Sequence, residues 1–156
     1  MLKITFVCLG NICRSPMAEL IFKDIVNKKG LSGKFEVDSC ATSSYEIGSP
    51  IYYLARQTLA KHNIKGSHIA KRISKKEYDS DFILVMDSSN YSNIIALNGI
   101  DKNKVFKLCD FTDTPHDIAD PWYTGDFETA YKDILAGCNA FLQYLINNDY
   151  IKKKFK

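Results

Sequence analysis

The sequence predicts a single α/β domain over residues 1–156, with a parallel sheet of about four strands and helices on both faces. Three observations carry that prediction. Short apolar runs that suit buried strands alternate with segments of helical periodicity along the whole chain. No internal repeat and no linker-like stretch interrupts the alternation. The 156 residues fit one core, at a size where roughly 70% of the unfolded surface can be buried.

Leu2 to Val7 is an apolar run that reads as a buried first strand. The loop Cys8-Leu9-Gly10-Asn11-Ile12-Cys13-Arg14-Ser15 follows it, and a helical pattern starts at Pro16 with Ala18, Ile21, Phe22, Ile25 and Val26 on one face. Ser15 can cap this helix, Pro16 suits a first turn that needs no N–H, and Gly30 ends it. Phe35 to Cys40 is a short second strand, and the polar run Ala41 to Ser49 is a loop. Ser49-Pro50 opens a second helix by the same cap-plus-proline device, and Asn63 to Gly66 breaks it.

Ser74-Lys75-Lys76-Glu77 is a capping box that starts a short helix. Phe82 to Met86 is a central parallel strand, and Asp87 or Ser88 caps a helix that runs to Leu97. Val105 to Leu108 is the fourth strand. A polar loop with Asp110, Asp113 and Asp117 leads to Asp120-Pro121-Trp122-Tyr123, and a last helix runs from Phe127 to Leu145. From about residue 150 the chain reads as a frayed end with a basic tail, Lys152 to Lys156. In such parallel sheets ligands sit beyond the carboxyl ends of the strands. The Cys8 loop, Ser39-Cys40, Asp87 and the loop after Cys109 all belong to that rim.

Composition narrows the function. A net charge of +3 is too small to argue for nucleic acid. No run approaches the ~20 apolar residues of a membrane span, and no charged-then-apolar leader precedes Leu2. The five cysteines, at 8, 13, 40, 109 and 138, match no zinc spacing, so no metal site is expected. A cytoplasmic protein with reduced thiols is the expectation. Nucleotide-binding glycine motifs are absent from the sequence.

The loop after the first strand carries the chemistry. A strand that turns into a helix presents unpaired backbone N–H groups to one point, and the helix dipole adds positive potential, so the turn can hold an anion. A thiol at a helix start beside a cation is disposed to ionise and act as a nucleophile, which describes Cys8 next to Arg14. The guanidinium of Arg14 can grip two oxygens of a tetrahedral oxyanion. Gly10 and Asn11 tolerate the left-handed backbone that aims successive N–H groups inward, and Ser15 can donate to the thiolate. A lone cysteine in a strand would ordinarily be a structural hydrophobe. Arg14 argues otherwise, because a cation in a helix's first turn opposes the dipole and needs a reason to be there.

This stretch, Val7-Cys8-Leu9-Gly10-Asn11-Ile12-Cys13-Arg14-Ser15-Pro16, closely resembles the C-x5-R-S signature loop of the low-molecular-weight protein tyrosine phosphatases. The resemblance runs from the first strand to the last helix, and Asp120-Pro121-Trp122-Tyr123 matches the family's aspartate-proline-aromatic element, with Trp122 in place of a frequent tyrosine. It implies strand order 2-1-3-4, no cofactor, and hydrolysis of phosphotyrosine through a cysteinyl-phosphate. Cys8, Arg14 and Asp120 are then the catalytic residues, and Leu9, Gly10, Asn11, Ile12, Cys13 and Ser15 form the phosphate loop. Asn11, Ser39 and His68 are implied to hold that loop in shape. A reversible Cys8–Cys13 disulfide that guards the nucleophile is implied as well.

Spacing alone does not select Asp120 over Asp110, Asp113 or Asp117; the resemblance makes that choice. Trp122 and Tyr123 are expected to line the pocket, with core packing as the alternative. Tyr45 either stacks on a substrate ring or is an ordinary exposed tyrosine. Cys40, Cys109 and Cys138 are best read as small buried hydrophobes. Two other functions compete: arsenate reduction, which needs a further pair of relay thiols, and capture of phosphotyrosine without turnover. The segment from Met86 to Gly99 supplies no such thiols. Expected partners are phosphotyrosine proteins and free oxyanions.

Overall fold

Side-chain alternation along the first strand, β1 (Leu2–Cys8), decides how the layers form. Ile4, Phe6 and Cys8 join one buried cluster and Val7 another, because successive strand residues face opposite sides of a sheet. The computed structural model describes residues 1–151 and sets β1 inside a four-stranded parallel sheet. That strand pairs with β2 (Phe35–Ala41) on one side and β3 (Phe82–Val85) on the other, and β4 (Val105–Lys107) pairs with β3, in the expected order 2-1-3-4.

The larger core lies where α1 (Arg14–Lys28) and α6 (Phe127–Asn147) cover one face, with α2 (Tyr53–Lys61) packed on α6. Phe22 of α1 is its hub, with ring centroids 5.9 Å from Phe6, 5.2 Å from Phe35 and 5.8 Å from Phe141. Truncating such a fully buried phenylalanine to alanine costs about 3–5 kcal/mol. Gly137 lets α6 approach the turn after β4: a Cβ there would lie 2.6 Å from Leu108 Cγ. On the opposite face Val7, Cys40, Ile83, Val85 and Val105 meet Ile94 of α4 (Ser88–Ile95) and Tyr78 of α3 (Lys75–Tyr78). Helices therefore cover both faces.

Four local expectations are corrected. The first helix begins at Arg14, two residues early, and Cys13 at its N-cap makes no side-chain cap bond. Ser15 is not the cap; it lies inside the first turn with its hydroxyl on Cys8. The second helix begins at Tyr53 rather than at Ser49-Pro50. Gly48 N donates to Ala70 O, Ala70 N donates to Ser49 O, and Pro50 bridges Ile69, so extended pairing occupies the backbone groups that a helix there would use. A one-turn helix, α5 (Pro121–Thr124), also stands in what reads as loop; Asp120 caps it, and Gly125 closes it at φ 75°.

Other start signals act as read. Ser74 and Glu77 make the reciprocal capping box, and Asp87 caps α4 by accepting from Asn90 N. At the far end Tyr150 packs on Phe82 at 5.1 Å and Ile151 is buried, so these two residues belong to the packed body. The expected basic tail, Lys152 to Lys156, lies outside the described residues. No helix among the described residues is long and apolar enough to cross a membrane.

Candidate active site

The chain leaves β1 at Cys8, turns through Leu9 to Cys13, and enters α1 at Arg14. Backbone bonds from later segments brace the turn: Thr42 N donates to Cys8 O, Ser43 N to Leu9 O and Tyr52 N to Ile12 O. Asn11 takes the left-handed conformation at φ 60°, which asparagine tolerates better than most residues. That conformation turns its N–H to Cys8 Sγ at 3.3 Å while its side chain points back into the protein. Ser15 Oγ lies 3.0 Å from the same sulfur. Asn11 Nδ2 donates to Ser15 Oγ at 2.8 Å, which leaves the serine's own hydrogen free for the sulfur.

Behind the loop a buried polar chain continues from Asn11. Its Nδ2 also donates to Ser39 Oγ at 3.0 Å, and its Oδ1 faces His68 Nε2 at 2.6 Å and accepts from Lys71 N at 3.1 Å. Ser39 Oγ donates to Glu19 Oε1 at 2.7 Å, and His68 Nδ1 lies 3.1 Å from the same oxygen. Asn11, Ser15, Ser39 and Glu19 are all buried. Burial disfavours the charge on Glu19, but bonds from His68, Lys23 and Ser39 outweigh it and hold the carboxyl below its ordinary value.

Arg14 is the second centre, with 3% of its side chain exposed. Nη1 donates to Asp87 Oδ2 and to Ile118 O, both at 2.7 Å, and Nη2 to Asp120 Oδ2 at 3.3 Å. Burial works against its charge; Cys8, Asp87 and Asp120 more than compensate, so its pKa is raised further. Asp120 is held from both sides, since Oδ1 accepts from Trp122 N at 3.0 Å while Oδ2 faces the arginine. The thiol of Cys13 is pushed up to about 12, first by burial and then by Cys8 and Asp120.

A cleft of about 250 Å³ opens over this arrangement, with Cys8 to Arg14 along its floor and Tyr45, Glu46, Asp120, Trp122 and Tyr123 around its walls. Tyr45, Trp122 and Tyr123 are exposed at 80%, 51% and 76%, which places them on the rim rather than in the core. Trp122 leans edge-on against Tyr52 at 4.8 Å, and Tyr52 stacks on Phe127 at 5.9 Å, so the wall is anchored to α6. The anticipated site residues thus fall into two groups: Leu9 to Cys13, with the three rim aromatics, border the cleft, while Ser15, Ser39 and His68 lie beneath or behind it.

Four participants escape sequence reasoning. Asp87 reads as a helix cap on the ligand rim, with nothing to mark its other oxygen as a partner of Arg14. Ile118 contributes a carbonyl, which no side-chain pattern reveals. Glu46 sits in a polar run without a motif. Glu19 had one readable signal, a single charged residue in the otherwise apolar run from Pro16 to Phe22.

Among the described residues, Glu19, Asp38 and His68 form the one group with ligand atoms close enough to suit a metal ion. Lys23 already neutralises Glu19 and Lys71 neutralises Asp38, so the group is built as ion pairs. Only Cys8 and Cys13 of the five cysteines border the cleft. Cys40, Cys109 and Cys138 are buried as expected, and burial raises their thiol pKa values, that of Cys109 to about 12.

The chain matches the family model for low molecular weight phosphotyrosine protein phosphatase over residues 3–154. It is 35% identical over 154 residues to low molecular weight protein-tyrosine-phosphatase PtpA of Staphylococcus aureus, covering 98% of this chain and 99% of that one. Among solved structures, YfkJ from Bacillus subtilis superposes with a TM-score of 0.91 at 36% identity, covering 95% of this chain and 96% of that one. DARP, a Drosophila arginine phosphatase, gives a TM-score of 0.85 at 34% identity, with 93% and 98% covered.

Proposed function

Since the chain belongs to the low molecular weight phosphotyrosine protein phosphatase family, we propose that it hydrolyses phosphotyrosine in cytoplasmic proteins through a phosphorylated Cys8. One observation carries the assignment of roles: Cys8, Arg14 and Asp120 line the same cleft, and the Asn11 N–H and the Ser15 hydroxyl are turned onto the Cys8 sulfur.

In the first step the Cys8 sulfur attacks phosphorus in line with the aryl oxygen. The S–P bond forms as the P–O bond breaks, and the protonated Asp120 carboxyl gives its hydrogen to the departing phenol. Arg14 and the loop N–H groups hold the three non-bridging oxygens as charge shifts among them. The phosphoryl group takes the Nη2 hydrogen that Arg14 otherwise gives to Asp120, which frees the carboxyl for the leaving oxygen. In the second step Asp120, now a carboxylate, takes a proton from water while that water attacks phosphorus. Cys8 leaves, and the Ser15 hydroxyl bonded to its sulfur makes it a better leaving group. A nucleophile at the bottom of a cleft favours the long tyrosyl side chain over phosphoserine.

Phosphoarginine is the second reading, favoured by the likeness to the Drosophila enzyme. The apolar Ile12 and the rim of Tyr45, Trp122 and Tyr123 support a flat aryl ring instead. Steady-state assays on phosphotyrosine, p-nitrophenyl phosphate and phosphoarginine decide between them. Cys8→Ser is expected to abolish aryl-phosphate turnover, and Asp120→Ala to slow it by ~10²–10⁴-fold. Wild-type-like turnover by Cys8→Ser would falsify the mechanism, and a preference for phosphoarginine would reassign the substrate.

A further inference from the structure

The loop that carries Asp120 makes a second set of contacts, outside the cleft, which the chemistry above leaves unused. Asp117 reaches back to the start of α4: Ser88 N donates to Oδ2 at 3.1 Å and Ser88 Oγ to Oδ1 at 3.2 Å. Lys107 Nζ, at the end of β4, donates to Asp117 Oδ1 at 3.1 Å and to Ser88 Oγ at 3.2 Å. The three side chains close a triangle that joins β4, α4 and the acid-bearing loop. Partial burial works against the charge on Asp117, but the bonds from Ser88 and Lys107 outweigh it and hold the carboxyl below its ordinary value.

The neighbours of this triangle grip Arg14. Asp87, one residue before Ser88, accepts from Nη1, and Ile118, one residue after Asp117, offers its carbonyl to the same nitrogen. Ile118 N also donates to Met86 O at 2.9 Å. Residues 87–88 and 117–118 thus form two matched pairs, each with one member on the arginine and one in the triangle. A shift of Asp117 moves Ile118 O directly and Asp120 two residues further on. Catalytic geometry is sensitive at this scale, since a displacement of about 1 Å can cost ~10²-fold in rate.

We propose that Asp117, with Ser88 and Lys107, is a positioning residue that locks the Asp120 loop to the start of α4 and so keeps Asp120 in register with Arg14 across the phosphoryl group. The ion pair is open to solvent, with 44% of the Asp117 and 26% of the Lys107 side chain exposed. Pairs of that kind contribute little to global stability. The effect is therefore on the placing of a proton donor, and the inference rests on the phosphatase reading above.

The test is the leaving-group dependence of kcat/KM, because a basic phenol needs the donor more than an acidic one. Asp117→Asn is expected to lower kcat/KM for phenyl phosphate about tenfold and for p-nitrophenyl phosphate about twofold, with Tm shifted by less than about 3 °C. Ser88→Ala, which removes only a hydroxyl, follows the same trend with smaller losses and settles the matter if Asp117→Asn fails to fold. Lys107→Arg, which keeps the charge, retains the wild-type slope. Equal losses on both substrates, or none on phenyl phosphate, overturn the proposal. Failure of the phosphatase reading has a different signature, activity that survives Cys8→Ser in the otherwise unaltered chain.

Discussion

The back and the front of the signature loop are built on opposite principles. Behind it, Asn11, Ser15, Ser39, Glu19 and His68 form a closed polar chain almost without solvent, in which each hydrogen bond fixes the next. In front, Tyr45, Trp122 and Tyr123 stand in water around the mouth. A buried polar group left unpaired costs about 1–3 kcal/mol, so the rear has one stable arrangement and little freedom to change. The rim carries no such penalty and can vary with the substrate. Under the proposed function, the contrast teaches that the phosphate end of the ligand meets a rigid device, and the rest of it replaceable surface.

The sharpest way to break this contrast is at Asn11, the member of the rear chain that also bends the loop. Asn11→Ala removes its side-chain bonds and leaves alanine at a positive φ. Stability is expected to fall by about 2–4 kcal/mol, or roughly 5–15 °C in Tm, with phosphatase activity down more than about tenfold. Asn11→Gly keeps the backbone permissive and separates strain from lost bonds. A Tm for Asn11→Ala within 2 °C or so of wild type, read by thermal denaturation, contradicts the closed-chain picture.

A middle-sized effect belongs to Glu19. Its folded pKa lies below the ordinary 4.5, so its contribution is fully present above that value and is lost as pH falls through the folded one. Glu19→Gln is therefore expected to lower Tm at pH 7 and to close the gap to wild type as the acid range is entered. Parallel Tm curves over that range sink the idea. The smallest effect belongs to the rim: Tyr45→Ala should raise KM for phosphotyrosine peptides about three- to fivefold, with kcat and Tm unchanged. A loss of Tm there, seen by calorimetry, means that Tyr45 is structural after all.

How legible each region was in the sequence follows the same division. The alternating strands, the helices on both faces and the cleft residues from Cys8 to Arg14 come from local signals: apolar runs, caps, and a motif whose members are neighbours in the chain; the strand order 2-1-3-4 is implied by the family resemblance alone. The rim was half legible, because Trp122 and Tyr123 stand beside a recognisable Asp-Pro, whereas Glu46 has no pattern around it. Least visible were the partners of Arg14. Asp87 accepts from it with one oxygen while capping a helix with the other, and the sequence advertises the cap and the place on the rim but not the bond to Arg14. The start of α2 was misread because pairing between residues 48–50 and 69–70 depends on a distant segment that local periodicity does not report.

The three grips on Arg14 have a consequence for the birth of the enzyme. Cys8 and Arg14, the proposed nucleophile and clamp, are close neighbours in the chain, yet the groups that aim the guanidinium are Asp87, Ile118 and Asp120, separated from it by 73 to 106 positions. Contacts so distant along the chain are slow to form. While synthesis proceeds from the N-terminus, the proposed nucleophile is made before the groups that guide Arg14. A nascent chain short of Asp120 therefore holds Cys8 and Arg14 without the partners that complete the cleft, and the site is assembled only once the segment with Ile118 and Asp120 has docked.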